Sequence, residues 1–236
     1  MRHVHTFITC EHAGNQIPKP YEHLFHDKQV LSTHRGIDLG AHAFAKQLSD
    51  GLRIKLFETH ISRLLVDCNR SVNNPQVFSE FASPLKSAEK NMVLQKYYYH
   101  YRNAVESYIR QQLLKKPVLH ISMHTFTPVW EGVERKIDVA LLFDENRALE
   151  NDLCISWFRK LKEELPDFDV LTNVPYKGAD DGFTTYLREK FPSQGYMGVE
   201  IEINQKWADT QQGEKFVSAL QSTLEKTLEK QLETIQ

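Results

Sequence analysis

The chain has 236 residues, 41% hydrophobic and 25% charged, with 29 basic and 31 acidic side chains for a net charge of −2. That length suits one large α/β domain better than two small ones, so residues 1–236 are read as a single domain. With no basic block, the charge argues against nucleic acid and against an anionic membrane surface as partners, and no run is long enough to span a bilayer.

Three cysteines, Cys10, Cys68 and Cys154, are too few and too scattered for a disulfide framework. Residues 1–5 open the chain without an apolar stretch of signal length. Together these predict a soluble, cytoplasmic protein. The eleven histidines are the compositional oddity, because many fall near predicted strand ends, where metal binding or proton transfer is at home.

Residues 4–10 read as a first strand that breaks into polar residues at Glu11 and His12. Ligands in open α/β sheets sit where strands end at their carboxyl edge. Residues 16–34 form a polar connection, and residues 36–41 open a helix with Leu39, Ala43, Phe44 and Leu48 at helical spacing. Asp38 stands where a helix cap is favoured, and a carboxylate there is also a plausible metal ligand. Gly51 is read as the helix end.

Residues 53–59 are a second strand candidate. Residues 62–70 follow, strand-like at Leu64 to Val66 and flanked by Arg63, Asp67, Asn69 and Arg70. Arginine forks pair bidentately with carboxylates, so one Arg is free to pair with Asp67 and hold the loop. Two Arg plus Asn69 also suit a small anionic substrate. Residues 71–87 are irregular, as a lid or pocket wall is. Residues 87–115 are helical, and their tyrosines read as a packed aromatic face.

Residues 117–124 form the third strand, with His120, Ser122 and His124 on one face and His124 at its carboxyl end. Residues 129–136 read as a loop. Residues 137–144 are near-continuously apolar, as in a strand buried on both faces. A helix over 147–165, a short strand over 169–172, a turn over 173–178 and a helix over 184–190 follow. In the last strand, 198–205, Val199, Ile201 and Ile203 oppose Glu200, Glu202 and Asn204. Carboxylates mid-strand are costly unless paired or metal-linked; an exposed edge strand is the alternative. A charged amphipathic helix over 214–234 covers the sheet.

Two histidines at strand ends, with a carboxylate between them in sequence and a late strand bearing Glu, match the donor pattern of hydrolytic zinc. Each residue alone is weak evidence, and their shared edge is what gives the set weight.

Residues 10–15 (CEHAGN), 36–41 (GIDLGA), 62–63 with 66–70 (VDCNR), 122–124 (SMH), 173–176 (NVPY) and 200–205 (EIEINQ) together resemble the N-formylglutamate amidohydrolase family. The likeness runs over residues 8–207. It implies an α/β three-layer sandwich, with a mostly parallel central sheet flanked by helices, similar to zinc exopeptidases and to phosphorylase/hydrolase-like folds. It also implies metal-dependent release of formate from N-formyl-L-glutamate in histidine degradation, with one Zn2+ per chain. Carried over residue by residue, His12, Asp38 and His124 are the metal ligands, with Glu11 the alternative to Asp38. Glu202 is the general base, with Glu200 its rival. Arg70 clamps the substrate carboxylate with Arg63 in support, and Asn69 and Asn15 complete the substrate contacts. A zinc peptidase or cell-wall amidase of the same fold, and a non-catalytic binding relative, are the competing readings. A monomer or homodimer is expected.

Overall fold

The protein's structure, a computed structural model, describes residues 4–192 and 195–233. Residues 1–3 and Thr234, the expected last residue of the C-terminal helix, lie outside these. The elements in chain order are β1 (His5–Cys10), α1 (Ala41–Leu52), β2 (Leu56–Glu58), α2 (Ser87–Val93), α3 (His100–Leu113) and β3 (Val118–Phe126). There follow β4 (Val129–Trp130), β5 (Val133–Glu134), β6 (Val139–Leu142), α4 (Ala148–Glu164), β7 (Val170–Thr172), α5 (Phe183–Lys190), β8 (Tyr196–Asn204) and α6 (Gln211–Glu233).

Six strands pair in the order β2-β1-β3-β8-β6-β7. All pairings are parallel except β6 with β8, so the central sheet is mostly parallel. Alternation along the strands builds a different core on each face. On one face Ile8, Ile121, Met123, Val199 and Ile201 meet Phe44 and Leu48 of α1, Trp157 of α4, and Phe216 and Leu220 of α6. On the other, Phe7, Val118 and Tyr196 meet Tyr101, Val105 and Ile109 of α3 and Phe183 and Leu187 of α5. Helices on both faces make the expected three-layer α/β sandwich. Among the described residues no helix is long and apolar enough to cross a membrane.

Several local expectations need correcting. The run Leu64 to Val66 is not a strand. It folds as turns, with Leu65 N–H donating to Ser62 O at 2.9 Å and Asp67 N–H donating to Val77 O at 2.9 Å. Its apolar side chains are buried in a turn, a state that hydrophobicity alone does not separate from a strand. The first helix begins at Ala41, not near Asp38. Gly40, at φ 84°, turns the chain into it, and Leu39 is left 41% exposed. The helix also passes Gly51 and ends at Leu52; Gly51 lies instead against the side-chain amide of Gln221 in α6. Residues 129–134 are a tight hairpin, with Glu131 and Gly132 both at positive φ as a two-residue reversal demands. Finally, β8 is a central strand between β3 and β6, which removes the edge-strand explanation of its carboxylates.

On the α3 side, β3 carries three polar residues inward, and the deepest, His120, is structural. Its Nε2 lies 2.6 Å from Thr9 Oγ1, its Nδ1 2.7 Å from Tyr196 Oη, and its ring stacks on Phe7 at 4.7 Å. Burial, with the Arg188 charge nearby, lowers its pKa from 6.5 to about 3 although Glu11 opposes the shift. The folded state therefore binds fewer protons than the unfolded chain between those values, and stability falls as pH falls from 6.5 toward 3. In urea unfolding, wild type should lose stability relative to His120→Gln by about 1 kcal/mol per pH unit across that window. Parallel pH slopes for the two proteins would contradict a neutral buried imidazole.

Candidate metal centre and active-site cavity

Three predicted residues converge at the carboxyl edge of the sheet. His12 follows the end of β1, Asp38 sits in the turn before α1, and His124 is two residues short of the end of β3. Each contributes a donor atom lying within 4.8 Å of the other two. Asp38 Oδ2 is the shared centre, 3.1 Å from His12 Nδ1 and 2.9 Å from His124 Nδ1. All three residues are at most 5% exposed. Backbone geometry explains the placement of Asp38: its N–H donates to His12 O at 3.3 Å, and Gly40 rather than Asp38 turns into the helix.

The outward nitrogen of each imidazole is held by another carboxylate. His12 Nε2 is 2.8 Å from Asp67 Oδ1. His124 Nε2 is 3.2 Å from Glu11 Oε2 and 2.9 Å from Ser122 Oγ. Glu11 is fixed in turn by donors from Ser122 Oγ at 2.6 Å and Tyr101 Oη at 3.0 Å. Glu11, weighed as a ligand in place of Asp38, thus stands behind His124 instead of inside the cluster. Arg63 bridges the carboxylates, Nη1 donating to Asp38 Oδ1 and Nη2 to Asp67 Oδ2, both at 3.1 Å.

This set is electrostatically unusual. Glu11, Asp38, Asp67 and Glu202 are four buried carboxylates, and Arg63 is the guanidinium bonded among them. Burial alone would raise all their pKa values. For Asp38, burial is outweighed by His12, His124 and Arg63, and its pKa lies well below the ordinary range. For Asp67, burial is outweighed by Arg63 and His12, and its pKa is also lowered. Glu11 falls to about 2, its burial outweighed by His124 and Ser122. His124, held by Asp38 and Glu11, is raised well above 6.5 despite its burial.

Glu202 behaves oppositely. Burial lifts its pKa to about 8, with Asp38 and Glu200 adding to the rise and His124 and Arg63 opposing it. It faces His124 directly across the β3–β8 ladder, and its Oε2 is buried with no hydrogen-bond partner. Glu200, the rival base, lies opposite Ser122 and accepts from Thr184 Oγ1 at 2.5 Å.

A cavity of about 500 Å³ opens over the cluster. His12, Arg63, Asn69, Arg70, His124, Glu200 and Glu202 line it, along with Arg35, Trp130, Tyr176, Lys177 and Asp181. Arg70 donates from Nη1 to Asp181 O at 2.8 Å. Asn69 reaches His124 Nε2 with Nδ2 at 3.5 Å and accepts from Phe183 N–H at 2.8 Å. Asn15 does not line the cavity. Its neighbour Gln16 donates backbone N–H to His60 O at 2.8 Å and bridges to Ile61, drawing that segment toward β2.

Sequence reasoning missed the roles of Asp67, Ser122 and Tyr101 here. Asp67 reads from its neighbours as the i,i+4 partner of Arg63, which it is. Its contact with His12 spans 55 positions and leaves no local signal. Tyr101 is indistinguishable from the packed aromatic face around it until its hydroxyl is seen on Glu11.

A divalent cation fits this donor set on the structure's own terms. Two imidazoles and a carboxylate are zinc ligands, both imidazoles have an outer carboxylate partner, and an unpartnered carboxylate atom is buried in the same cavity wall.

Among solved structures, the chain resembles a gene product of Agrobacterium tumefaciens, with 26% identity and a TM-score of 0.81 over 95% of this chain and 90% of that one. It also resembles an N-formylglutamate amidohydrolase from Ralstonia eutropha JMP134, with 17% identity and a TM-score of 0.68 over 97% and 94% of the two chains. No curated protein matches in sequence. Residues 4–207 match the model of the N-formylglutamate amidohydrolase family, and on that match, across most of its length, the chain belongs to this family.

Proposed function

We propose that the protein is a metal-dependent hydrolase cleaving the amide bond of an N-acyl acidic amino acid, with N-formyl-L-glutamate, yielding formate and glutamate, as its substrate. The observation that carries this reading is the convergence of His12, Asp38 and His124 beside buried Glu202, whose Oε2 has no hydrogen-bond partner. His12 Nδ1, Asp38 Oδ2 and His124 Nδ1 would hold the ion, which we take to be zinc. When bound, zinc supplies Lewis acidity that polarises a carbonyl and makes water more acidic.

The chain's own residues do the rest. Glu202 takes a proton from the attacking water and delivers it to the leaving nitrogen as the C–N bond breaks. Burial raises the proton affinity of Glu202, which suits a group that must both accept and return a proton near neutrality. Asp67 and Glu11 fix the ring orientations of His12 and His124 through their outer nitrogens. Arg63 holds Asp38 and Asp67 in place and offsets part of their charge.

Arg70 and Asn69 line the cavity beside these groups and are the substrate contacts. A guanidinium matches a carboxylate with two parallel hydrogen bonds, which suits an acidic amino acid over a neutral amide. The Agrobacterium and Ralstonia relatives support the fold, and the family match supports the reaction class.

Glu202→Gln should lower kcat for formate release by about 100-fold or more while leaving metal content unchanged. Full activity in that variant would remove Glu202 from the reaction. Arg70→Ala should raise KM about tenfold or more for substrates bearing a side-chain carboxylate and change it little for a neutral N-formyl amino acid. Equal effects on both substrates would contradict the clamp.

A further inference from the structure

Outside the cavity, one other set of side chains among the described residues brings metal-ligating atoms together: His42, Glu58 and His60. His42 Nε2 lies 2.9 Å from Glu58 Oε2, and His60 Nε2 lies 3.1 Å from Glu58 Oε1. The two imidazoles therefore address different oxygens of one carboxylate, and their rings meet edge to face at 5.2 Å. The donor atoms all fall within 4.8 Å of one another.

The three residues come from two separately anchored pieces of backbone. His42 is in the first turn of α1, Glu58 ends β2, and His60 follows two residues later. The main chain at His60 is clamped, because its O accepts from Gln16 N–H at 2.8 Å and a Cβ on Gly14 would stand 2.6 Å from its Cα. These anchors hold the donors together before any ligand arrives, which lowers the entropic cost of binding. The side chains are 32–42% exposed, so an ion can enter and keep water in its remaining positions.

We propose that His42, Glu58 and His60 form a second, surface site for a divalent transition-metal ion of the zinc or copper type. Two imidazole nitrogens and one carboxylate oxygen suit borderline cations and disfavour calcium and magnesium, which take oxygen donors. The ion takes the place of the hydrogen bonds that now join each imidazole to Glu58. The site ties the start of α1 to the exit of β2, beside the segment that follows His12, without sharing a ligand with the cavity. It goes beyond the proposed reaction and does not depend on it.

The test is metal stoichiometry of the full-length protein, dialysed against Zn2+ at low micromolar concentration and measured by elemental analysis. Wild type, the His42→Ala/His60→Ala pair and His124→Ala are compared. The pair should bind one ion fewer than wild type and keep formate-releasing activity, and His124→Ala should lose a different ion and that activity. Cu2+ added to His124→Ala should show nitrogen coupling from two imidazoles in its electron paramagnetic resonance spectrum, abolished when His42 and His60 are also replaced. A stoichiometry unchanged by the His42→Ala/His60→Ala pair, or a Cu2+ spectrum indifferent to it, would overturn the proposal.

Discussion

Asp38 Oδ2 lies within hydrogen-bond distance of two imidazole nitrogens at once, inside a pocket that also buries Glu11, Asp67 and Glu202. Like charges gathered away from water repel strongly, and removing one partner of a buried ion pair typically costs about 3–5 kcal/mol. The fold meets that constraint with layers of neutralisation. Arg63 spans Asp38 and Asp67, the histidines sit between carboxylates, and Ser122 and Tyr101 donate to Glu11. A divalent cation among His12, Asp38 and His124 would complete the neutralisation. Apolar residues of similar volume could pack the same space without burying charge, so stability alone is weak reason for such a cluster.

The sheet makes the arrangement possible. Parallel pairing of β1, β3 and β8 brings the carboxyl ends of three strands to one edge, so His12, His124 and Glu202, distant in sequence, share one wall. The same alternation that turns Ile121, Met123, Val199 and Ile201 into one core turns Ser122, His124, Glu200 and Glu202 to the opposite face. Deeper on that face His120 is closed off by Thr9 and Tyr196, so the polar stripe of β3 passes from a closed, bonded interior position to the cavity wall at His124. Arg102, buried under Cys68 O and Arg70 O with its guanidinium over Phe183 and Tyr186, anchors the loop that presents Asn69 and Arg70 to the cavity.

Much of this was legible in the residues, and the limits have physical causes. Strand period puts His124 on one face with Ser122, and Glu202 on one face with Glu200, each within its own strand, and strand ends point to His12, because alternation and edge position are local properties; only the pairing of β3 with β8 brings the two faces together. Asp38 is picked out as a ligand while the helix start is misplaced, since Asp is favoured both as a cap and as a ligand, and only the positive φ of Gly40 shows that the helix begins later. Leu64 to Val66 reads as a strand because apolar content reports burial, and a buried turn has the same content. Asn15 follows His12 closely in sequence yet leaves the cavity, because pairing of Gln16 and Ile61 decides its path. The outer carboxylate partners of the histidines are invisible beforehand, being contacts between residues 55 and 113 positions apart.

The proposed reaction depends most directly on an ion that His12, Asp38 and His124 would hold. The decisive measurement is formate release from N-formyl-L-glutamate by protein with its metal content known, before chelation, after chelation and after zinc is restored. The account predicts that activity falls by about 100-fold or more on chelation and returns with zinc. Undiminished turnover by rigorously metal-free protein would contradict it.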